Sequence, residues 1–301
     1  MEAGHRAITA NEGHPMKPEA LFWIDGETVV AAEARVSLHD RGLLYGEGAF
    51  DTMRAYGGRA FRLREHLSRF FAAGNTLGCR PDCAATDIEV AINSLLQDSG
   101  LSDAYIRTTM TRGAGGFGME AMEDSPACVF IAVRPLRLPA ETCYATGFRA
   151  MISDIRRNET SPLSRVKSLN YLDSLLARRE ARKAGVDEAL MLNTRGHLAE
   201  AAASNVFLVQ DNALVTPGID SGVLAGITRS VVVELATAAG IRCEERSVDP
   251  EEFSTSTEAF LTNSLMEIVP LTEVNHLQVG GGSPGQTTLH LLRQYRDLAS
   301  K

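Results

Sequence analysis

The feature that most constrains this chain is the order of its segments. Short strand-like and helix-like stretches alternate, most of them closed by glycine or a turn pair, with no internal repeat. That order predicts a mixed α+β fold rather than a helical bundle or an all-β sandwich. Leu21–Ile24, Asp25-Gly26 and Thr28–Val30 read as a hairpin around a tight turn. Gly48–Tyr56 is apolar and strand-like, turns at Gly57-Gly58 and resumes at Arg59–Arg62. Leu63–Leu77 predicts a helix with Leu67, Phe70, Phe71 and Gly74 on one side and Gly78 as its stop. Asp87–Gln97 predicts a second helix, and Ala104–Thr111 and Ala127–Arg134 predict strands around a glycine-rich loop, Gly113–Gly118.

Pro135–Pro139 and the residues from Thr142 onward read as a connector, which places a boundary near 136–146. The expected organisation is a mobile arm over 1–18, a small N-terminal domain over 19–138 and a larger C-terminal domain over 139–301. In the second half a strand is expected around Phe148–Asp154. A long helix is expected over Val166–Lys183, with Leu169, Leu172, Leu175 and Leu176 as its inner stripe and Gly185 as its stop. Strands are expected near 187–193, 205–210, 213–216 and 260–262, and helices over Thr228–Ala239 and Thr287–Ser300.

Composition then narrows the function. At 44% apolar and 23% charged, the 301 residues belong to the globular class. The formal charge, 30 − 38 = −8, argues against a general nucleic-acid binder. No run of 18 apolar residues occurs, so no membrane span is expected. The first twenty residues lack an apolar stretch, so no secretory signal is expected. The five cysteines, an odd number in a long chain, favour a reduced, cytoplasmic setting, and Cys79 and Cys83 lack the second pair that a zinc site needs. The basic residues divide into 26 arginines and four lysines: Lys17, Lys167, Lys183 and Lys301. Chemistry that needs a deprotonable amine therefore has few candidates.

Lys167 stands among hydroxyl and apolar residues in Ser161–Tyr171, an environment that can lower its pKa and make it a nucleophile or base. The plain alternative is a snorkelling surface lysine. Ser164 and Lys167 also fit the Ser-x-x-Lys spacing of acyl enzymes, but the Lys-Thr-Gly partner element is missing. Glu200 precedes Ala201, Ala202 and Ala203, small residues that let backbone approach something flat. Gly226-Ile-Thr-Arg229 opens a predicted helix whose free N–H groups suit an anion, although for the motif alone a plain threonine cap is the favoured reading. Gly113–Gly118 is a poor dinucleotide fingerprint, because no helix follows it.

Together these pieces resemble the fold-type IV pyridoxal-phosphate enzymes, which include branched-chain aminotransferases, D-amino acid aminotransferases and aminodeoxychorismate lyases. The matching elements run in family order from about Leu21 to Leu298: Asp40–Phe50, Arg64–Arg69, Lys167–Tyr171, Ala199–Phe207, Gly226–Arg229 and Thr262–Glu267. The resemblance implies an N-terminal α/β sandwich and a C-terminal pseudo-barrel with helices, binding pyridoxal 5'-phosphate. It implies a Schiff base on Lys167, with Glu200 against the pyridine nitrogen and Tyr171 on the phenolic oxygen. It further implies Arg69, Ile227, Thr228 and Ser264 around the phosphate, and Lys167 as the acid and base of the reaction.

Within that class the signals are mixed. Tyr105 and Arg107 resemble the residues that hold the substrate carboxylate in branched-chain enzymes, and Tyr45, Phe50 and Tyr171 match their aromatic pocket. Asn263, Ser264 and Leu265, with the 112–118 loop, resemble the lyases instead. Phe117 and Met119 stand where D-amino acid enzymes carry charged side chains. An apolar loop suits an apolar substrate side chain. The expected reaction is transamination between an amino acid of apolar, branched side chain and a 2-oxo acid. Aminodeoxychorismate lyase activity is the first alternative, and D-amino acid or amine transamination the second. The resemblance also implies a homodimer, with the 39–45 loop reaching the neighbouring subunit.

Overall fold

The computed structural model describes residues 20–116, 118–119 and 126–301. The expected arm over 1–18 and Phe117 lie outside the described residues. The first half contains β1 (Leu21–Ile24), β2 (Glu27–Val30), α1 (Arg41–Tyr45), β3 (Gly48–Tyr56) and β4 (Arg59–Ala60). It continues with α2 (Leu63–Leu77), α3 (Ala85–Ser99), β5 (Ala104–Thr111) and β6 (Cys128–Pro135). The strands form one antiparallel sheet in the order β2-β1-β6-β5-β3-β4. Alternation along β5 and β6 buries Ile106, Ile131 and Val133 on one face, where Phe70 of α2 and Ile88, Ile92 and Leu95 of α3 cover them. The same alternation turns Tyr105 and Arg107 to the opposite face, so the packing of one side aims the polar side chains of the other.

The second half contains α4 (Thr142–Thr146), β7 (Phe148–Ile152), α5 (Leu172–Ala184), β8 (Glu188–Leu192), β9 (Leu198–Ala201) and β10 (Asn205–Gln210). It continues with β11 (Ala213–Pro217), α6 (Ile227–Ala238), β12 (Arg242–Arg246), β13 (Glu258–Asn263), β14 (Glu267–Val274), β15 (Leu277–Gln278) and α7 (Gln286–Ala299). Its strands run β12-β11-β10-β13-β14-β7-β8-β9, with β15 on β14. Three of these pairings are parallel, and register shifts at Leu271/Glu273 and Met191/Leu192 help curl the sheet into a half-barrel. Phe207, Phe260 and Val269 fill its core under α6 and α7, which contribute Val231, Val232, Leu291 and Tyr295.

One helix departs from expectation. α5 begins at Leu172, not at Val166, so Lys167 precedes the helix instead of lying in its first turn. The backbone of 166–171 is hydrogen-bonded to the start of β3: Leu169 N–H donates to Gly48 O at 2.8 Å, and Phe50 N–H donates to Lys167 O at 2.9 Å. Those groups are committed to a strand and cannot enter a helical ladder. The expected inner stripe is also reversed, because Leu172, Leu175 and Leu176 are exposed. The buried side of α5 carries Ser174, Ala177 and Ala181. Ala177 and Ala181 pack against Ala189, Met191 and Ala202, where small residues allow a close approach of helix to sheet.

Candidate active site

A cavity of about 550 Å³ brings together residues from both halves of the chain, lined by Phe50, Thr52, Arg69, Tyr105 and Arg107 from the first. The second contributes Arg157, the segment around Lys167, Tyr171, Glu200, the start of α6 and the turn at 262–265. Of the expected site residues, Lys167, Arg69, Tyr171, Glu200, Ile227, Thr228, Ser264, Phe50, Tyr105, Arg107, Asn263 and Leu265 all line it. Tyr45 does not. It sits on the surface, 43% exposed, with its hydroxyl accepting from Gly118 N–H at 2.9 Å.

The Lys167 amine points between two rings, 4.7 Å from the centre of Phe50 and 5.6 Å from that of Tyr171. The two rings meet edge to face at 5.3 Å. Burial lowers the pKa of the amine to about 8, and the nearby Arg69 adds to the shift, while Asp51 and Glu200 oppose it. The same burial pushes the Tyr171 hydroxyl up to about 12, so it stays protonated. Tyr171 donates to Ala202 O at 3.3 Å.

Glu200 lies on β9, buried at the cavity floor. Arg157 Nη2 is 2.9 Å from its Oε1. Its Oε2 accepts from Leu224 N–H at 3.0 Å and Asn205 Nδ2 at 3.3 Å. Burial still raises its affinity for a proton, with Arg157 and the Leu224 N–H acting in the opposite direction. Three donors occupy this carboxylate, which leaves acceptor capacity for about one more.

Arg69 approaches from α2. Its Nε and Nη2 bond the two carboxylate oxygens of Asp51, each at 2.8 Å, and its Nη1 donates to Ala225 O at 2.9 Å. Ala225 stands just before Gly226, the N-cap of α6, so Ile227 and Thr228 meet the cavity at the positive end of that helix. Ser264 lines the same cavity, its Oγ 3.5 Å from His66 Nε2.

Arg107 lies flat over Phe50, its guanidinium carbon 3.7 Å from the ring centre, and its Nε donates to Thr109 Oγ1 at 3.3 Å. Asn263 is engaged within its own turn: its Oδ1 accepts from Leu265 and Met266 N–H at 3.0 and 2.8 Å, and its Nδ2 donates to Ser204 Oγ at 2.9 Å. Those two backbone donors therefore hold the turn together, leaving Ser264 and Leu265 to face the cavity.

Asp51, His66 and Arg157 do not stand out in the sequence. Asp51 has a readable signal, since a lone acid inside the apolar stretch Gly48–Tyr56 must be paired if that stretch is a buried strand. Arg157 has none, because beside Arg156 it reads as ordinary charged surface.

The family profile of amino-transferase class IV matches residues 48–274. The chain is 30% identical over 288 residues to a branched-chain-amino-acid aminotransferase of Pseudomonas aeruginosa, covering 94% of each. Its structure is similar to that of the Escherichia coli branched-chain amino acid aminotransferase, with a TM-score of 0.89 and 30% identity over 93% of this chain and 94% of that one. The branched-chain amino acid aminotransferase of Thermobaculum terrenum, in its PLP form, aligns with a TM-score of 0.85 at 30% identity, over 94% of each chain. With three quarters of its length under the family profile and relatives matched almost end to end, the chain belongs to the class IV aminotransferases.

Proposed function

We propose that this protein uses pyridoxal 5'-phosphate to exchange an amino group between an amino acid with an apolar, branched side chain and a 2-oxo acid. The observation that carries this reading is that one cavity brings together the Lys167 amine, the buried Glu200 carboxylate and the Arg69 and Arg107 guanidiniums. The residues present fit the group. Lys167 offers an amine for the aldehyde, and Glu200 offers a carboxylate for the protonated ring nitrogen. Arg69, Ile227, Thr228 and Ser264 offer donors for a phosphate, and the Tyr171 hydroxyl can bond the phenolic oxygen. When bound, pyridoxal phosphate supplies the electron-withdrawing ring that stabilises negative charge at the substrate α-carbon.

The chain's own residues supply the rest. With a pKa near 8, roughly a tenth of Lys167 is neutral at pH 7, against well under a hundredth for an ordinary lysine. Released by the incoming amino acid, its Nζ can take the α-proton and return it, as base and then as acid. Phe50 and Tyr171 confine that amine between their rings, which limits the paths a proton can follow. Arg107, whose donors other than Nε have no partner among the described residues, is positioned to take the substrate carboxylate. Tyr105, Leu163, Val166 and Leu175 add the apolar wall that a branched side chain favours.

The exposed Leu172 and Leu176, with Leu43, Leu44 and Tyr45, support a homodimer that covers these side chains. All five cysteines are free thiols, which supports a reducing, cytoplasmic setting. Among the described residues no helix is long and apolar enough to cross a membrane. A half-reaction screen with leucine, D-alanine, an aromatic amine and aminodeoxychorismate tests the reading. Leucine should convert the cofactor to its amine form without releasing pyruvate. Pyruvate from aminodeoxychorismate, with no response to leucine, would establish the lyase instead.

A further inference from the structure

Two residues that no part of the reaction above uses are among the most buried polar groups of the chain. Asp51 on β3 is 0% exposed and His66 on α2 is 1% exposed. Asp51 Oδ1 is 2.8 Å from His66 Nδ1 and 2.8 Å from Arg69 Nη2, and it also accepts from Thr52 N–H at 2.7 Å. Asp51 Oδ2 takes Arg69 Nε. Burial alone would raise the pKa of this carboxyl, but Arg69 and then His66 hold it well below the usual range. An ionised carboxylate only accepts hydrogen bonds, so His66 carries its hydrogen on Nδ1. Its Nε2 then faces Ser264 Oγ at 3.5 Å, on the turn contributed by the other half of the chain.

One carboxylate is thus tied to two residues that line the cavity, Arg69 and Ser264. It binds Arg69 directly, leaving two of the five guanidinium N–H groups free of the bonds to Asp51 and Ala225. It reaches Ser264 through His66. Positions 66 and 69 lie three apart on α2, so both side chains leave the same helix face toward β3.

We propose that Asp51 and His66 are positioning residues that hold Arg69 and Ser264 in place for the phosphate group of the bound cofactor. This rests on the reading that pyridoxal phosphate occupies the cavity. Neither residue touches the reacting atoms. Their contribution is to phosphate recognition, and it should vanish when the phosphate is absent.

The test compares pyridoxal phosphate with pyridoxal, which lacks the phosphate. The full chain, stripped of cofactor, is titrated with each while visible absorbance reports attachment to Lys167. The wild type should strongly prefer the phosphate form. Asp51→Asn keeps the shape but offers Arg69 only one acceptor, and its preference should fall about tenfold or more. His66→Asn keeps a donor near Nδ1 but withdraws the contact to Ser264, and its preference should fall by less. His66→Gln, which places an amide near Nε2, should recover part of that loss. Affinity for pyridoxal should change little in the two His66 variants and should not weaken in Asp51→Asn, where loss of the Asp51 charge only lowers the Lys167 pKa further. Equal weakening of both ligands, or an unchanged preference in the folded variants, would overturn the proposal in favour of a purely structural tie. If Asp51→Asn does not fold, the two His66 variants decide. A wild type that binds neither ligand would overturn the reading of the cavity itself.

Discussion

Arg157 holds Glu200 by a 2.9 Å contact at the floor of the cavity, while the same guanidinium donates to Ser164 O at 2.8 Å and Gly222 O at 3.2 Å. Arg157 thereby opposes the pull of burial, which raises the Glu200 pKa. In Arg157→Met that support is gone, and the Glu200 pKa, already raised, should rise further. The ionised form is the one that pairs with a protonated ring nitrogen. Turnover should therefore fall about tenfold or more near neutral pH and recover as pH rises. A pH–rate profile checks this, and a profile parallel to that of the wild type would contradict it.

The Lys167 pKa has a consequence for stability in the cofactor-free protein. Its folded value of about 8 lies below the ordinary 10.5, so between these values the unfolded chain binds more protons than the folded one. Stability therefore rises with pH across that window and is lost as pH falls toward 8, by at most ~1.4 kcal/mol per unit from this group. Lys167→Met should flatten the slope and stabilise the cofactor-free protein near neutral pH. Denaturant unfolding at several pH values measures it.

Arg107 is expected to act on substrate alone. Arg107→Ala should raise KM for the amino acid about tenfold or more while changing cofactor affinity by no more than about twofold. Arg107→Lys should recover only part, because the planar fork and its stacking on Phe50 are lost. Single-turnover kinetics separate the two effects, and equal loss of both would count against a carboxylate role.

Gly48 is a site where a methyl group does not fit. A Cβ there would lie 2.3 Å from the Met110 carbonyl oxygen and 2.7 Å from Leu169 Cδ1. Gly48→Ala should cost roughly 1–3 kcal/mol by overpacking. It should also slow attachment of pyridoxal phosphate to Lys167, because the segment pushed aside is the one that carries the amine. Thermal unfolding and absorbance kinetics would show the two effects together.

Much of this site is legible in the sequence because its residues lie in short runs with distinctive neighbours. Lys167, Glu200 and the Gly226–Arg229 turn can all be singled out, whereas Arg69 enters only through the family resemblance. What escapes is long-range. Helical period shows that Leu172, Leu175 and Leu176 share a face of α5, but period cannot say what covers a face, and that face is open. The 166–171 segment reads as helical from its leucines, yet its backbone bonds go to β3. The strand β14 and the parallel pairings of β7 with β8 and β14 depend on partners remote in the chain, which local propensity does not encode.

The stapling of the Lys167 segment to β3 also sets when the protein acquires its reactivity. Gly48 and Leu169 are far apart in the chain, and contacts between such distant residues tend to form late in folding. A partly synthesised or half-folded chain would carry an ordinary lysine, with a far smaller neutral fraction and slower attachment to aldehydes. The full reactivity of Lys167 thus arrives with assembly of the molecule, and the rate of aldehyde attachment there can serve as a reporter of completed folding.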